Sequence, residues 1–292
     1  MPQPPHPQAP VQPNPVTHYE NFPVASWLCP PPLRAPIAAI YHFARTADDL
    51  ADEGESTAEQ RLNELHRYRQ ALQAVAQAQP PYPANAPWHT VFAPLQSAIA
   101  QHRLPLPLLD DLLRAFVQDV ERTASGQRYR DEAELLDYCR LSANPVGRLL
   151  LHLYGVQSEQ ALAWSDDICS ALQLINFWQD LSTDIPRQRY YLPLDLCARF
   201  GVTETDMLAC KQTSSATLLI ATLADSARAR MQKGAQLVHL LPGRAGWELR
   251  LVVQGGLRIL DKMAALQYRT LHQRPVLRGW DYGVMLWRAL WM

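Results

Sequence analysis

The sequence predicts a single all-α domain, on three observations. From about Thr17 onward apolar residues recur at helical spacing, and no convincing alternating strand pattern interrupts them. A chain of 292 residues with 48% apolar side chains can bury one large core or two modest ones. The proline-bearing breaks are too short for domain linkers, and no repeat at solenoid spacing occurs.

Residues 1–16 consist almost wholly of Pro, Gln and small side chains, which favour extended conformers and build no core; they are expected to form a disordered tail, leaving 17–292 as the domain. After "CPPP" at 29–32 the spacing predicts a helix over 33–53, followed by one over 57–78 that ends at "QPPYPANAP". Helices over 88–102 and 107–124 are separated by "RLPLP", and "ASGQ" closes the second. Two longer patterns over 131–154 and 158–184 precede "YLPLD". The patterns over 215–240 and 246–271 flank "LPGRAG", and shorter helices fill the gaps and the C-terminus.

The formal net charge of −1, from 27 basic and 28 acidic side chains, supplies no general attraction to nucleic acid. Five scattered cysteines form no C-x-x-C pair, so neither a disulfide framework nor a zinc site is indicated, and a reducing, cytoplasmic setting is expected. No apolar run is long enough to span a bilayer, and the N-terminus carries no secretion-signal pattern.

The helix over 33–53 ends unusually. With Ile37 as origin, Leu33, Ile40, Tyr41 and Ala44 form its apolar stripe, yet Asp48 and Asp52 project at about 20° and 60° on the same side. Asp49 and Glu53 flank them, and Arg45 lies between the pairs. Two readings stand: a solvated helix end, where acidic residues are ordinary, or a cluster held inside. Enclosed carboxylates repel one another and require cations, and hard oxygen ligands of this kind suit Mg²⁺.

A second helix, over "CSALQLINFWQDLSTD", inverts the usual amphipathic proportion. Ile168, Leu174, Ile175, Phe177, Trp178 and Leu181 cover most of its girth, while Gln173, Asn176, Asp180 and Asp184 share one narrow strip. A buried helix of this kind turns its strip toward something polar inside the protein, either a structural hydrogen-bond network or a ligand. Two such helices facing each other would enclose a cavity with acidic ends and apolar walls, suited to Mg²⁺-bound diphosphate and a hydrocarbon chain.

The paired motifs "DDLADE" at 48–53 and "NFWQDLSTD" at 176–184 resemble the aspartate-rich motifs of the squalene/phytoene synthase family, as do "YCRLSANPVG", "RYYLP" and "LRILDKM". The resemblance runs from about His18 to Met263 and implies a type I isoprenoid synthase helical bundle with a central cavity. It also implies two or three Mg²⁺ ions held by Asp48, Asp52, Asn176, Asp180 and Asp184. Arg45 and Arg189, with His18 and Asn21, would bind the diphosphate, and Tyr41, Tyr138, Gln173 and Tyr191 would line the cavity.

Within the family, "HYENFPVASWL", "SANPVGRLLLHLYG" and "LINFWQD" resemble the hydroxysqualene synthases of bacterial hopanoid biosynthesis. This implies conversion of presqualene diphosphate and water to hydroxysqualene and diphosphate, without NADPH, between a presqualene diphosphate synthase and a hydroxysqualene-reducing flavoenzyme. Gln179, Tyr19 and Asn21 replace the Arg and Ser residues usual in phytoene-type synthases, which suggests fewer groups for a second diphosphate. Tyr41, Phe43, Tyr138 and Phe177 are candidate aromatic faces for the carbocation, whereas Trp178 projects away from the acidic strip. A condensing enzyme and a non-catalytic assembly protein of the same fold are the rival readings. A di-iron bundle is disfavoured, since no Glu-x-x-His occurs. The Trp-rich C-terminus "GWDYGVMLWRALWM" is read either as a packing helix or as peripheral contact with the inner face of a membrane.

Overall fold

A computed structural model describes residues 29–77, 81–241 and 243–292. The helices, in chain order, are α1 (Pro31–Asp52), α2 (Ala58–Gln77), α3 (His89–His102), α4 (Leu106–Ser125), α5 (Glu132–Ser142), α6 (Asn144–Leu153), α7 (Glu159–Gln179), α8 (Leu181–Asp184), α9 (Leu194–Phe200), α10 (Glu204–Leu208), α11 (Ser214–Gly234), α12 (Gly243–Ala265) and α13 (Gly279–Leu290). Short 3₁₀ turns follow α8 and α11, and no strand occurs among the described residues. The predicted tail lies outside the described residues.

Local chemistry sets the ends. Pro31 starts α1, where a missing N–H costs nothing. Asp131, Ser158 and Thr213 cap α5, α7 and α11 by accepting the Glu134, Ala161 and Ala216 amides. Gly126 closes α4 at φ +65°, a conformation in which a Cβ is strained.

Two predicted helices are each divided. The pattern over 131–154 breaks at Ala143 (φ −118°, ψ −48°), because Pro145 supplies no N–H for a continuous ladder. The pattern over 158–184 is interrupted at Asp180 (φ −100°, ψ 10°), where the Thr183 hydroxyl donates to the Asp180 carbonyl at 2.7 Å. The pattern over 215–240 ends in a 3₁₀ turn over Ala235–His239. The helix expected at 246–271 starts at Gly243 and stops at Ala265, ahead of Gln267 and Tyr268 with φ of 53° and 54°.

One core joins α1 to α4 through Phe43, Leu65, Tyr68, Phe92, Leu95 and Leu109. The larger core gathers around α7, which packs on α11, α6, α12 and α5; a helix apolar around most of its girth has no other stable place. The α1–α4 layer and the α7 layer meet beside α6, and the site lies at that junction.

Candidate active site

A cleft of about 560 Å³ separates the two layers. Tyr41, Arg45 and Asp48 enter it from α1, Gln173 and Asn176 from α7, and Asp180 from the break after α7. The two polar strips therefore face one another. Asp48 lines the cleft and Asp49 and Glu53 do not, although Asp48 and Asp49 are about equally exposed, at 37% and 41%.

Arg45 organises the α1 side. Its guanidinium donates to Asp48 at 2.7 Å and contacts Asp49 at 2.6 Å and Glu53 at 2.8 Å. Burial, and next the charge of Asp52, push the Asp48 carboxyl up to about 6 despite Arg45. Burial and Asp180 push Asp184 up to about 7 against Arg189 and Arg187. On α7 the Asn176 Nδ2 donates to Asp180 Oδ2 at 3.0 Å, a bond that does not involve the Asn176 carbonyl oxygen.

Asp52, Asp184, Arg189, Tyr138 and Tyr191 do not line the cleft. Arg189 reaches across 137 residues of sequence to donate to Asp52, joining the rims of the two acidic segments. Tyr138 and Tyr191, expected on the cavity surface, stand one layer back because both pack on Phe177: the Tyr191 ring stacks on it at 3.7 Å, and the Tyr138 centroid lies at 6.1 Å. Phe43 is not a cleft aromatic either, since it is wholly buried between Tyr68 and Phe92. Trp178 is buried away from the strip, as its wheel position implies. His18, Tyr19 and Asn21 lie outside the described residues.

Four functional candidates escape a reading by motif. Phe116 of α4 lines the cleft. Arg187 and Arg274 do so too, and Arg274 Nε donates to Asp180 across 94 residues. Asp119 accepts the Tyr138 hydroxyl at 2.5 Å. Burial pushes Asp119 up to about 7, against the pull of that bond and of Arg189. A signal existed for Asp119, which lies four and seven residues after buried Ala115 and Leu112 and so on the inward face of α4. None existed for Arg274, which arrives from the loop between α12 and α13.

Gln179 also departs from expectation. It is buried, and its Nε2 donates to the Pro275 carbonyl at 2.7 Å. It fastens the loop that carries Arg274, so the cleft is not poor in cations as the Arg-to-Gln difference suggested.

The donor set fits Mg²⁺: carboxylate and amide oxygens are hard ligands, and burial together with like-charged neighbours raises Asp48 and Asp184 in the way a cation would reverse. Among the described residues no group of three or more acidic, His or Cys side chains converges on one point, and Arg45, Arg189 and Arg274 pair with the carboxylates instead.

The cleft does not end at its polar wall. It shares Val146, Cys169 and Leu172 with a second cavity of about 90 Å³, lined mostly by apolar side chains such as Ile37, Leu150, Ile168, Leu237 and Leu249. An arrangement of this kind can take an anionic group beside arginines, with an apolar cavity next to it.

The squalene/phytoene synthase family model matches residues 16–281 of the chain. A hydroxysqualene synthase of Sinorhizobium fredii is 33% identical over 250 residues, covering 85% of this chain and 79% of that one. A phytoene synthase of Thermus thermophilus is 30% identical, covering 93% and 88%. Among solved structures, that of squalene synthase HpnC from Alicyclobacillus acidocaldarius superposes with a TM-score of 0.75 at 33% identity, over 86% of this chain and 90% of that one.

Proposed function

The chain belongs to the squalene/phytoene synthase family, and we propose that it is the member that converts presqualene diphosphate and water to hydroxysqualene and diphosphate. The observation that carries this reading is the placing of a cleft with two opposed acidic motifs next to an apolar cavity, the two sharing Val146, Cys169 and Leu172 in their walls. A single joined substrate with one diphosphate and a long hydrocarbon body matches that shape. The similarity to named hydroxysqualene synthases supports the choice among relatives.

Asp48, Asn176 and Asp180 in the cleft wall, with Asp52 and Asp184 at its rim, would hold Mg²⁺, which would supply positive charge against that developing on the departing diphosphate. Arg45, Arg187 and Arg274 line the same cleft and donate to the leaving oxygens, with Arg189 beside them. The carbon–oxygen bond breaks with its electron pair on diphosphate. Tyr41 and Phe116 are the aromatic side chains that line the cleft and would stabilise the resulting cation. Leu172 and Val146 keep bulk water from it, so one admitted water bonds to carbon and gives its proton to the departed diphosphate. An alcohol forms without a reductant. A condensing reaction must therefore supply the substrate, and a reduction must consume the product on the way to a hydrocarbon.

Arg187 and Arg274 favour a second reading, a condensing enzyme that holds two allylic diphosphates. Incubation of presqualene diphosphate with Mg²⁺ in ¹⁸O-labelled water, without NADPH, separates the two. A labelled alcohol is expected. Coupling of two farnesyl or geranylgeranyl diphosphates with presqualene diphosphate left unreacted, or squalene formed only on adding NADPH, would overturn the assignment.

A further inference from the structure

The last helix wears its apolar side outward. α13 docks through Asp281, Met285 and Ala289, buried at four-residue spacing. Asp281 clamps it by accepting from Arg258 Nε and Lys262 Nζ, each at 2.7 Å. A helix anchored in this way normally shows water a polar face. α13 instead exposes Tyr282, Leu286 and Leu290 together with Trp280, Trp287 and Trp291, the tryptophans by 59%, 62% and 77%. At about 150–250 Å² per aromatic side chain, the three tryptophans alone leave on the order of 400 Å² in water, a size that marks an interaction site.

The patch continues beyond the helix. Arg250 lies over the Trp247 ring at 5.2 Å and donates to the Ala289 carbonyl at 3.2 Å, tying exposed Trp247 to α13. At Gly246 a Cβ would stand 2.6 Å from the Leu241 carbonyl oxygen, so only glycine lets the turn that bears exposed Leu240 pack this closely on α12. Leu237, Leu241, Ala245 and Leu249 of that layer wall the apolar cavity. The cavity and the exposed patch thus lie on two sides of one layer.

Charge identifies the occupant. Over residues 240–292 eight Arg and Lys stand against three acidic residues; Arg258, Lys262 and Arg288 pair with two of these and Arg274 with Asp180 in the cleft, which leaves Arg244, Arg250, Arg269 and Arg278. Two of those three, Glu248 and Asp281, are buried, and Asp261 is paired with Arg228 and Arg288. Arg244 and Arg278 are exposed on the same segment. A second copy of the chain docking symmetrically would set these arginines against each other. Tryptophans rimmed by arginine suit lipid headgroups, which accept both the indole ring and the cation. Among the described residues no helix is long and apolar enough to cross a membrane.

We propose that the face made by α13, Trp247 and Leu240 docks on the surface of an anionic bilayer, with the tryptophans at headgroup depth and the arginines on lipid phosphates. The docked layer is the one behind which the apolar cavity lies. The binding does not depend on which diphosphate is the substrate.

The test is co-sedimentation of the full-length chain with phosphatidylcholine vesicles, with and without about one-third phosphatidylglycerol. Binding at least tenfold tighter to the anionic vesicles, weakened by salt, is expected. Trp287→Ser/Trp291→Ser should lower vesicle binding at least tenfold while leaving the helical circular-dichroism signal and melting temperature nearly unchanged. Arg244→Gln/Arg278→Gln, which keeps every tryptophan, should cost about tenfold or more on the anionic vesicles and little on the neutral ones. Wild-type binding by either double variant would overturn the proposal. So would light scattering that shows a dimer dissociated by the tryptophan substitutions, with no vesicle bound.

Discussion

Replacing Asp180 by Asn separates a metal-binding role from a structural one. The side chain is 17% exposed and its partner Arg274 is 30% exposed. A charge-assisted bond contributes about 1.5–3 kcal/mol when buried, and the solvent around Arg274 reduces that to about 1 kcal/mol. The change also removes a charge that repels Asp184, which offsets part of the loss. Stability should therefore fall by less than about 1 kcal/mol. Turnover has no such compensation. An electrostatic group facing the leaving diphosphate contributes about 10²–10³ in rate, or about 2.7–4 kcal/mol of barrier. Steady-state kinetics against Mg²⁺ concentration would compare the wild type, Asp180→Asn, Arg274→Gln and the double variant. Asp180→Asn should lower kcat and raise the Mg²⁺ needed for half-maximal rate. Arg274→Gln should raise KM and leave the Mg²⁺ requirement in place. A kcat within threefold of wild type at saturating Mg²⁺ would refute the ligand role. Equal losses in both single variants, with the double no worse, would reduce Asp180 to an anchor for Arg274.

Gln179→Ala should destabilise the chain by about 2–3 kcal/mol, since it strands the buried Pro275 carbonyl and leaves a void, and KM should rise more than kcat falls as the Arg274 loop loosens; urea unfolding and kinetics read the two effects. Asp119, Asp184 and Asp48 all sit above the ordinary carboxylate range in the folded chain. A group raised by folding stabilises most below its unfolded pKa, near 4, and that contribution is lost as pH rises through about 6–7. In EDTA the melting temperature should therefore be higher at about pH 5 than at about pH 8, and Asp119→Asn should flatten the difference; an equal or reversed order in the wild type would contradict the burial of these groups.

Both acidic motifs were legible in one dimension because each broke a periodic rule: Asp48 stands on an apolar stripe, and Asp180 on the narrow polar strip of a buried helix. Asp119 breaks the same rule on α4, as a lone carboxylate on the inward face, while the adjacent pair Asp110 and Asp111 of that helix forms ion pairs with Arg69 and Arg114. The divided helices show where periodicity misleads. It continues smoothly through Asn144 and Asp180, while the backbone yields to Pro145 at the first and to the Thr183 bond at the second. The Arg-to-Gln difference at Gln179 suggests fewer groups for a second diphosphate, yet the side chain turns to the Pro275 carbonyl.

The amino-acid order alone determined that the chain is helical, which face of each long helix is buried, and that two of those faces carry carboxylates, because propensity and period act within a few residues. Only the tertiary structure decided which faces meet. Arg274 pairs with Asp180, and Arg189 with Asp52, across 94 and 137 residues. It also set Tyr138 and Tyr191 behind Phe177, and tied exposed Trp247 to α13 through Arg250. Such contacts depend on how whole helices pack, and helix packing is decided by the summed fit of side chains distant in sequence, which no local pattern records.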